Sequence, residues 1–498
     1  MVNGPEKSDP AKVAVKPMNK AAPVAAAESA ERRVGAEGNT SQQNTHRTQC
    51  RVRVSQALER VRQCARVRKE ERFTALLHHI NTDLLRLSFY ALKRRAAPGV
   101  DGVTWQDYEA DLESNLVSLH ERVQRGTYRA LPSRRKYIPK PDGQVRALGI
   151  AALEDKIVQR AAVAVLSAIY EEDFLGFSYG FRPKRSQHDA LDALCVGIDR
   201  KKVSWILDVD IRSFFDRLSQ DWLVRFIKHR IADKRMLRLV SKWLRAGVLD
   251  DGVWTDSEEG VPQGATASPL LANVYLHYAF DLWAHQWRKR HASGDMVVVR
   301  FADDTVLGFQ HKADAEQFLA DMRERLQKFS LTLHPDKTRL IEFGRFAAYS
   351  RARRGLGKPE TFTFLGFTFI CGKSRGGHFF VQRSTRRDRM QATLRRVKED
   401  LRKRKHQAIS QQGRWLAQVV QGFYAYHAVP GNGRAIAAFR FHVSDLWWDV
   451  LARRSQRTNT TWERMQRVFN RWLPRPRTLH PWPRERFDVL HPRWEPSA

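Results

Sequence analysis

The chain has 498 residues, enough for about three domains with buried cores. Its 87 Lys and Arg outweigh 54 Asp and Glu, a formal charge of +33, which excludes an ordinary metabolic enzyme as the default reading and points to a polyanionic partner. A composition 42% hydrophobic and 10% aromatic excludes a wholly disordered basic protein.

Residues 1–46 are rich in Ala, Pro, Lys and Glu, and no aromatic residue precedes Phe73. Such a segment cannot bury enough surface to offset its ordering entropy, so a disordered tail is expected. A basic helical pattern starts near Arg47, and Leu76-Leu77 to Leu84-Leu85 continue its apolar stripe until Ala97-Pro98-Gly99-Val100-Asp101-Gly102 breaks it. Trp205 to Ile211 alternates with period two. Leu207, Val209 and Ile211 then share one strand face, and Ile206, Asp208 and Asp210 the other. Helical spacing follows from Ser219 to about Val248. Met296–Phe301 and Thr305–Phe309 read as two strands joined by a tight tip, Ala302-Asp303-Asp304. Phe318, Leu319, Met322, Leu326 and Phe329 form a helix face, and Leu331 with Leu333 opens a short strand. Strands with helices returning over one face predict an α+β class rather than a doubly wound parallel sheet.

Beyond Arg375, residues 383–405 hold eleven Lys and Arg against three Asp and Glu, while Met390, Leu394, Val397 and Leu401 keep helical spacing. This predicts an amphipathic helix with a strongly positive outer face. Half of the tryptophans, including Trp447 and Trp448, lie in the final 84 residues among arginines. Four scattered cysteines without a CxxC pair exclude a zinc knuckle or a disulfide framework and fit a reducing compartment. The longest stretch free of charged residues, Gly260 to Phe280, contains Gln263, Ser268, Pro269 and Asn273, so no membrane span is expected.

The chemistry rests on carboxylates. An Asp-Asp turn is commonplace, because turns favour Asp. Here, however, Asp210 and the Asp303-Asp304 tip are each flanked by β-forming apolar residues that place them at the edge of a buried sheet. Three carboxylates meeting there would repel one another unless divalent cations neutralised them. Mg²⁺ prefers oxygen ligands, and two such ions suit an in-line nucleotidyl transfer.

Eight blocks in order then resemble a group II intron-encoded reverse transcriptase and maturase of the form lacking an HNH endonuclease. They are Gly99-Val-Asp-Gly102, Ile138-Pro-Lys-Pro-Asp-Gly143, Ser178-Tyr-Gly-Phe-Arg-Pro183, Asp210-Ile-Arg-Ser-Phe-Phe-Asp216, Gly260-Val-Pro-Gln-Gly264 with Ser268–Asn273, Phe301-Ala-Asp-Asp304, Leu333-His-Pro-Asp-Lys-Thr338 and Phe364-Leu-Gly-Phe367. The resemblance implies a right-hand polymerase. Fingers would span 47–200, a palm with an antiparallel sheet and the catalytic carboxylates 201–375, and a helical thumb with a maturase region 376–498. It implies that Asp210, Asp303 and Asp304 hold two Mg²⁺ ions, with Asp208 as the rival ligand. Phe215 would exclude a 2′-hydroxyl, Lys140 and Arg146 clamp triphosphate oxygens, Gln263 touch nucleotide or template, and Lys337 serve the leaving pyrophosphate. Phe364, Leu365 and Gly366 resemble the primer grip, and the helix bearing Arg383, Arg386 and Arg387 resembles a thumb tracking template-primer phosphates. Each role has a plainer alternative: a core Phe beside Phe214, solvated hairpin charges, a helix-entry turn, a surface Lys, a buried strand with a bulge.

The implied partners are the intron RNA, an RNA template with a DNA primer, dNTPs and target DNA, with a homodimer open and neither zinc nor membrane involved. The implied setting is bacterial-type cytoplasm, associated with nucleoid or ribonucleoprotein. No Cys follows Cys371, so second-strand nicking is not expected and a primer would come from elsewhere. Two other readings stay open at this stage: a splicing-only RNA-binding maturase, and a domesticated or defence reverse transcriptase without an intron.

Overall fold

The computed structural model describes residues 40–139, 145–256, 259–374, 376–454 and 461–491. The expected tail, 1–46, lies almost wholly outside them; the first helix, Thr40–Val67, begins upstream of Arg47. Its apolar stripe does not run on unbroken. The chain turns at residues 68–76 and restarts as the helix Thr82–Tyr90, capped by Asn81, whose Oδ1 accepts from the Leu84 N–H at 2.9 Å.

Eleven strands occur among the described residues. They are β1 (Ser133–Pro139), β2 (Val145–Ile150), β3 (Trp205–Val209), β4 (Val248–Asp250), β5 (Val253–Thr255), β6 (Met296–Phe301), β7 (Asp304–Phe309), β8 (Arg339–Glu342), β9 (Phe362–Phe364), β10 (Phe367–Lys373) and β11 (Phe379–Thr385). With the surrounding helices they make a mixed α+β fold in three sheets, ordered β2-β1-β4-β5, β6-β7-β3-β8 and β11-β10-β9.

The sheet β6-β7-β3-β8 is the centre, and every pairing in it is antiparallel. Strand alternation sends Leu207, Val209, Val298, Leu307 and Phe309 into one core, shared with helices that include Leu153–Asp173, Ser268–Leu276 and Lys312–Gln327. Ile206, Val299, Val306 and Ile341 enter a second core against the helix Gln187–Arg200 and the sheet β9-β10-β11. Both faces are thus covered, where the sequence pattern suggested one. Burial on both faces explains the near-continuous apolar run Met296–Val299.

Three further expectations are corrected. The helical run from Ser219 splits into Gln220–Lys228 and Lys234–Leu244. At the break, Arg230 is buried on Asp173 at 2.8 Å, and Asp233 accepts from the backbone N–H groups of Leu76, Leu77, Arg235 and Met236. Leu331 and Leu333 do not begin a strand; Leu333 makes one isolated bridge to Ile211, and the neighbouring strand is β8. Arg383 lies in β11, and the basic helix starts later, as Arg387–Lys403.

That helix, with Ile409–His427, Gly433–Ala452 and Trp462–Trp472, forms a C-terminal bundle around its own core. Trp447 is fully buried there and donates to Gln412 Oε1 at 2.8 Å, while Trp448 packs at the core's edge. No helix among the described residues is long and apolar enough to cross a membrane.

Candidate active site

The carboxylates come together by register. The β3–β7 ladder pairs Asp208 with Val306 and Val209 with Thr305. The paired ladder ends there, and just beyond it Asp210 and Asp304 lie near enough for the charge of one to act on the other. Asp208, Asp210 and Asp304 therefore share one sheet face, and Asp303 sits in the adjoining turn.

Their electrostatics record the crowding. Asp304 keeps part of its surface in solvent. Desolvation, followed by Asp303, Asp210 and Asp208, pushes its carboxyl up to about 7, against a weaker pull from Arg386. Burial also raises Asp303, with Asp210 adding to it and Arg146 and Arg300 opposing. Asp208 reaches about 6 through burial and Asp210, opposed by Arg339 at 3.8 Å. Asp210 carries the Lys337 ammonium at 3.5 Å. All these donors are hard oxygens, which suit a hard divalent cation in kind. Among the described residues no three Asp, Glu, His or Cys side chains are set to hold a metal ion.

The hairpin tip is held from behind by a network that sequence reading missed. Arg300, on β6, is completely buried and forks onto the equally buried Asp281, with its Nε 2.7 Å from Oδ1. The same guanidinium donates to Asn273 Oδ1, Ser178 Oγ and the Ala302 carbonyl at 3.0, 2.7 and 2.9 Å. Asn273 Nδ2 in turn donates to the Gly180 carbonyl at 2.7 Å. Three of the sequence blocks thus meet on one side chain, which fixes Ala302 in its left-handed conformation (φ 56°). The available signal was an Arg amid valines next to the tip, matched by a lone Asp in an apolar helix.

A cleft of about 300 Å³ is lined by Phe215, Gln263, Arg135 and Gly149, with Asp216, Asp256 and Glu259 among its other lining residues. Phe215 sits in the short turn Phe214–Asp216, and its carbonyl accepts from the Val261 N–H at 2.8 Å. The Gln263 carbonyl accepts from Gly149 at 2.6 Å, which ties the Pro-Gln-Gly block to β2. Arg146 is exposed on β2, near enough for its charge to act on Asp303. Lys140 lies outside the described residues.

Phe364 and Phe367 pair across a two-residue hairpin turn rather than a bulge. Leu365 (φ 46°) and Gly366 (φ 80°) form the tip, as a twist-matched hairpin requires, and the Leu365 carbonyl accepts from Tyr426 Oη at 2.7 Å. Phe364 itself is buried. The Arg386 N–H donates to the Gly366 carbonyl at 3.1 Å, and its guanidinium pairs with Asp388 while its charge reaches Asp304. Arg387 is exposed at the start of the basic helix. Arg383 does not share that surface: it is buried, with Nη1 2.6 Å from Asp192 Oδ1. Its charge answers a carboxylate inside the protein.

Residues 138–369 match the reverse transcriptase (RNA-dependent DNA polymerase) family. The chain is 34% identical to Protein YkfC of Escherichia coli K12 over 57% of its own length and 78% of that protein. The chain belongs to the reverse transcriptases. It is 32% identical to the group II intron-encoded protein LtrA of Lactococcus lactis, over 44% of this chain and 37% of LtrA. It is 26% identical to a putative COX1/OXI3 intron 1 protein of Saccharomyces cerevisiae, over 64% and 43%. The protein is accordingly an RNA-directed DNA polymerase, and its carboxylate face lies within the matched segment.

Proposed function

We propose that this polymerase copies RNA into DNA at the Asp210–Asp303–Asp304 face with two Mg²⁺ ions, and that it binds its own intron RNA to promote splicing and retromobility. The observation that carries the first part is the β3–β7 ladder, which ends where Asp210, Asp303 and Asp304 lie near enough to raise one another's carboxyls. Asp210, Asp303 and Asp304 would hold the ions, which supply charge neutralisation for the primer hydroxyl and the departing pyrophosphate. Asp208, held by Arg339, adds negative charge behind them. Phe215 forms part of the floor of the dNTP cleft and selects against a 2′-hydroxyl. Gln263 orients the nucleotide or template, and Arg146, with Lys140, clamps the triphosphate. Lys337 stands within ion-pair reach of Asp210 and offers its charge or proton to the leaving group. The Phe364-Leu365-Gly366 tip and Arg386 face the primer end, and Arg387 opens the positive helix that tracks the duplex. On this reading residues 47–200, 201–375 and 376–498 act as fingers, palm, and thumb with maturase surface. Splicing rests on the likeness to intron-encoded proteins and on a net charge of +33 suited to structured RNA.

The test is Asp303→Ala with Asp304→Ala in the full chain. Primer extension on an RNA template should vanish while intron splicing persists. Extension at the parental rate would refute the site, and loss of splicing in a folded double variant would refute a separate RNA-binding role.

A further inference from the structure

Behind the central sheet, on the helical side facing away from the carboxylates, an open cleft of about 360 Å³ is walled by Trp222, His229, Tyr278, Trp283 and Phe329 over a floor of Phe226. The rings are graded like a stack. Trp222 and Tyr278 each stack on Phe226, at 5.6 Å and 29° and at 5.3 Å and 20°. The exposed His229 ring covers Tyr278 at 4.9 Å and 26°. Trp222, Tyr278 and Trp283 are half-buried, so part of each ring remains open to the concavity.

Two cations frame it. The Arg225 guanidinium sits 4.9 Å over Trp222, exposed and without a carboxylate partner among the described residues. Arg325 sits 4.6 Å over Phe329, and its Nε and Nη2 donate to the Ala279 and Tyr278 carbonyls, both at 3.0 Å. It too has no acidic partner among the described residues. Arginines stacked on rings keep their remaining donors for an anion. The wall segment His277–Asp281 is one turn of π-helix, a rare form that concentrates at functional sites. Its extra residue lets Asp281 reach Arg300 while Tyr278 turns into the cleft.

We infer that this cleft takes an unpaired base of the RNA partner, stacked between the Trp222 and Tyr278 walls, with the adjoining phosphate on Arg225. Flat aromatic walls accept any base, the flanking cations accept the backbone, and a chain of charge +33 draws a polyanion to this face. The inference rests on the intron-RNA reading above, and adds a contact point remote from the catalytic face.

The experiment uses the full-length protein and a single-stranded RNA carrying iodouridine, whose photochemistry favours stacked aromatic side chains. Primer extension on a homopolymer template is followed alongside. Crosslinks should map to Trp222, Tyr278 or Trp283 and persist when the catalytic cleft is saturated with template-primer. Trp222→Ala should weaken RNA binding roughly five- to a hundredfold. Because that variant removes a core-edge ring, the exposed Arg225→Glu serves as its folded counterpart; it should weaken binding, lower the salt slope by about one, and leave primer extension unchanged. Crosslinks only elsewhere, or unchanged affinity in both folded variants, would overturn the inference. So would a change in light-scattering mass with unchanged RNA affinity, which would assign the cleft to a second copy of the chain. Absence of primer extension in the parent protein would instead strike the reading of the active site, and the crosslink map would still decide the cleft.

Discussion

A single methyl group at Gly180 tests how the Asp303-Asp304 hairpin, proposed above as catalytic, is positioned. A Cβ there would lie 2.2 Å from the Ala302 nitrogen and 2.8 Å from the Phe301 carbonyl carbon, both main-chain atoms. Restoring ordinary contact requires the two segments to part by about 1 Å, a displacement on the scale that costs catalysis ~100-fold. The Gly180 side cannot easily retreat. Its carbonyl accepts from Asn273 at 2.7 Å, and the neighbouring Tyr179 N–H donates to the Arg300 carbonyl at 2.8 Å. The strain then passes to Asp303 and Asp304. Gly180→Ala should lose about 1–3 kcal/mol of stability, as overpacking does, and about two orders of magnitude in turnover. Gly176→Ala is the control, since a Cβ there meets nothing within 4 Å. Urea unfolding and steady-state primer extension read the two effects separately. Parental turnover in a folded Gly180→Ala protein would show that contact with this glycine does not set the hairpin.

Three further outcomes follow from the same geometry. Asp281→Asn leaves the buried Arg300 charge uncompensated and should cost about 3–5 kcal/mol, read from the urea midpoint; a loss under ~1 kcal/mol would mean Arg300 finds another partner. Phe215→Ala opens the cleft floor and should raise ribonucleotide incorporation roughly tenfold or more in a competitive extension assay, and unchanged selectivity would return Phe215 to a packing role. Asp155, buried and accepting from Tyr128 Oη and the Leu131 N–H, is pushed by burial from 3.8 to about 6. The folded state then holds this proton more tightly than the unfolded one. Its contribution is full below the unfolded value and is lost as pH rises through the folded one. Relative to Asp155→Asn, the parent should lose up to ~3 kcal/mol between those limits, measured by unfolding across that range, and a flat difference would contradict the shift.

Local patterns were legible where one physical rule acted alone. Period-two alternation located β3, and the Ala302-Asp303-Asp304 tip between two apolar runs located β6, β7 and their hairpin. The expected single-sided sheet and the unbroken Ser219–Val248 helix fell to contacts distant in sequence. Arg230 is drawn to Asp173, and Asp233 to the N–H groups of Leu76 and Leu77, so tertiary hydrogen bonds break a segment whose own spacing is helical. Arg383 misled for a related reason. Charge counted along a window takes no account of a partner such as Asp192, nearly two hundred residues upstream, and a buried pair looks like surface charge until the fold joins it. β4 and β5 were equally invisible. They are short, and β4 pairs with β1 in parallel, an arrangement no local pattern announces.

The ion pairs of the centre divide into two kinds, and the division explains why so basic a chain keeps an acidic island. Arg300 with Asp281 is wholly buried, bidentate and further fixed by Asn273, Ser178 and Ala302, so neither partner can be exchanged. Across the carboxylate face each acid is opposed by a cation from a different element: Arg339 for Asp208, Lys337 for Asp210, Arg146 for Asp303 and Arg386 for Asp304. These contacts are loose. The Lys337 and Arg339 side chains stay 60% and 46% exposed, and their separations of 3.5 and 3.8 Å fall short of a tight charge-assisted bond. A pair at the surface is worth little and is readily given up. Such cations offset the repulsion among the carboxylates, and on the proposed reading they would be free to turn to phosphates if Asp210, Asp303 and Asp304 held a divalent ion. The permanent pair supplies rigidity behind the sheet, and the provisional pairs in front leave the acids free to change partner.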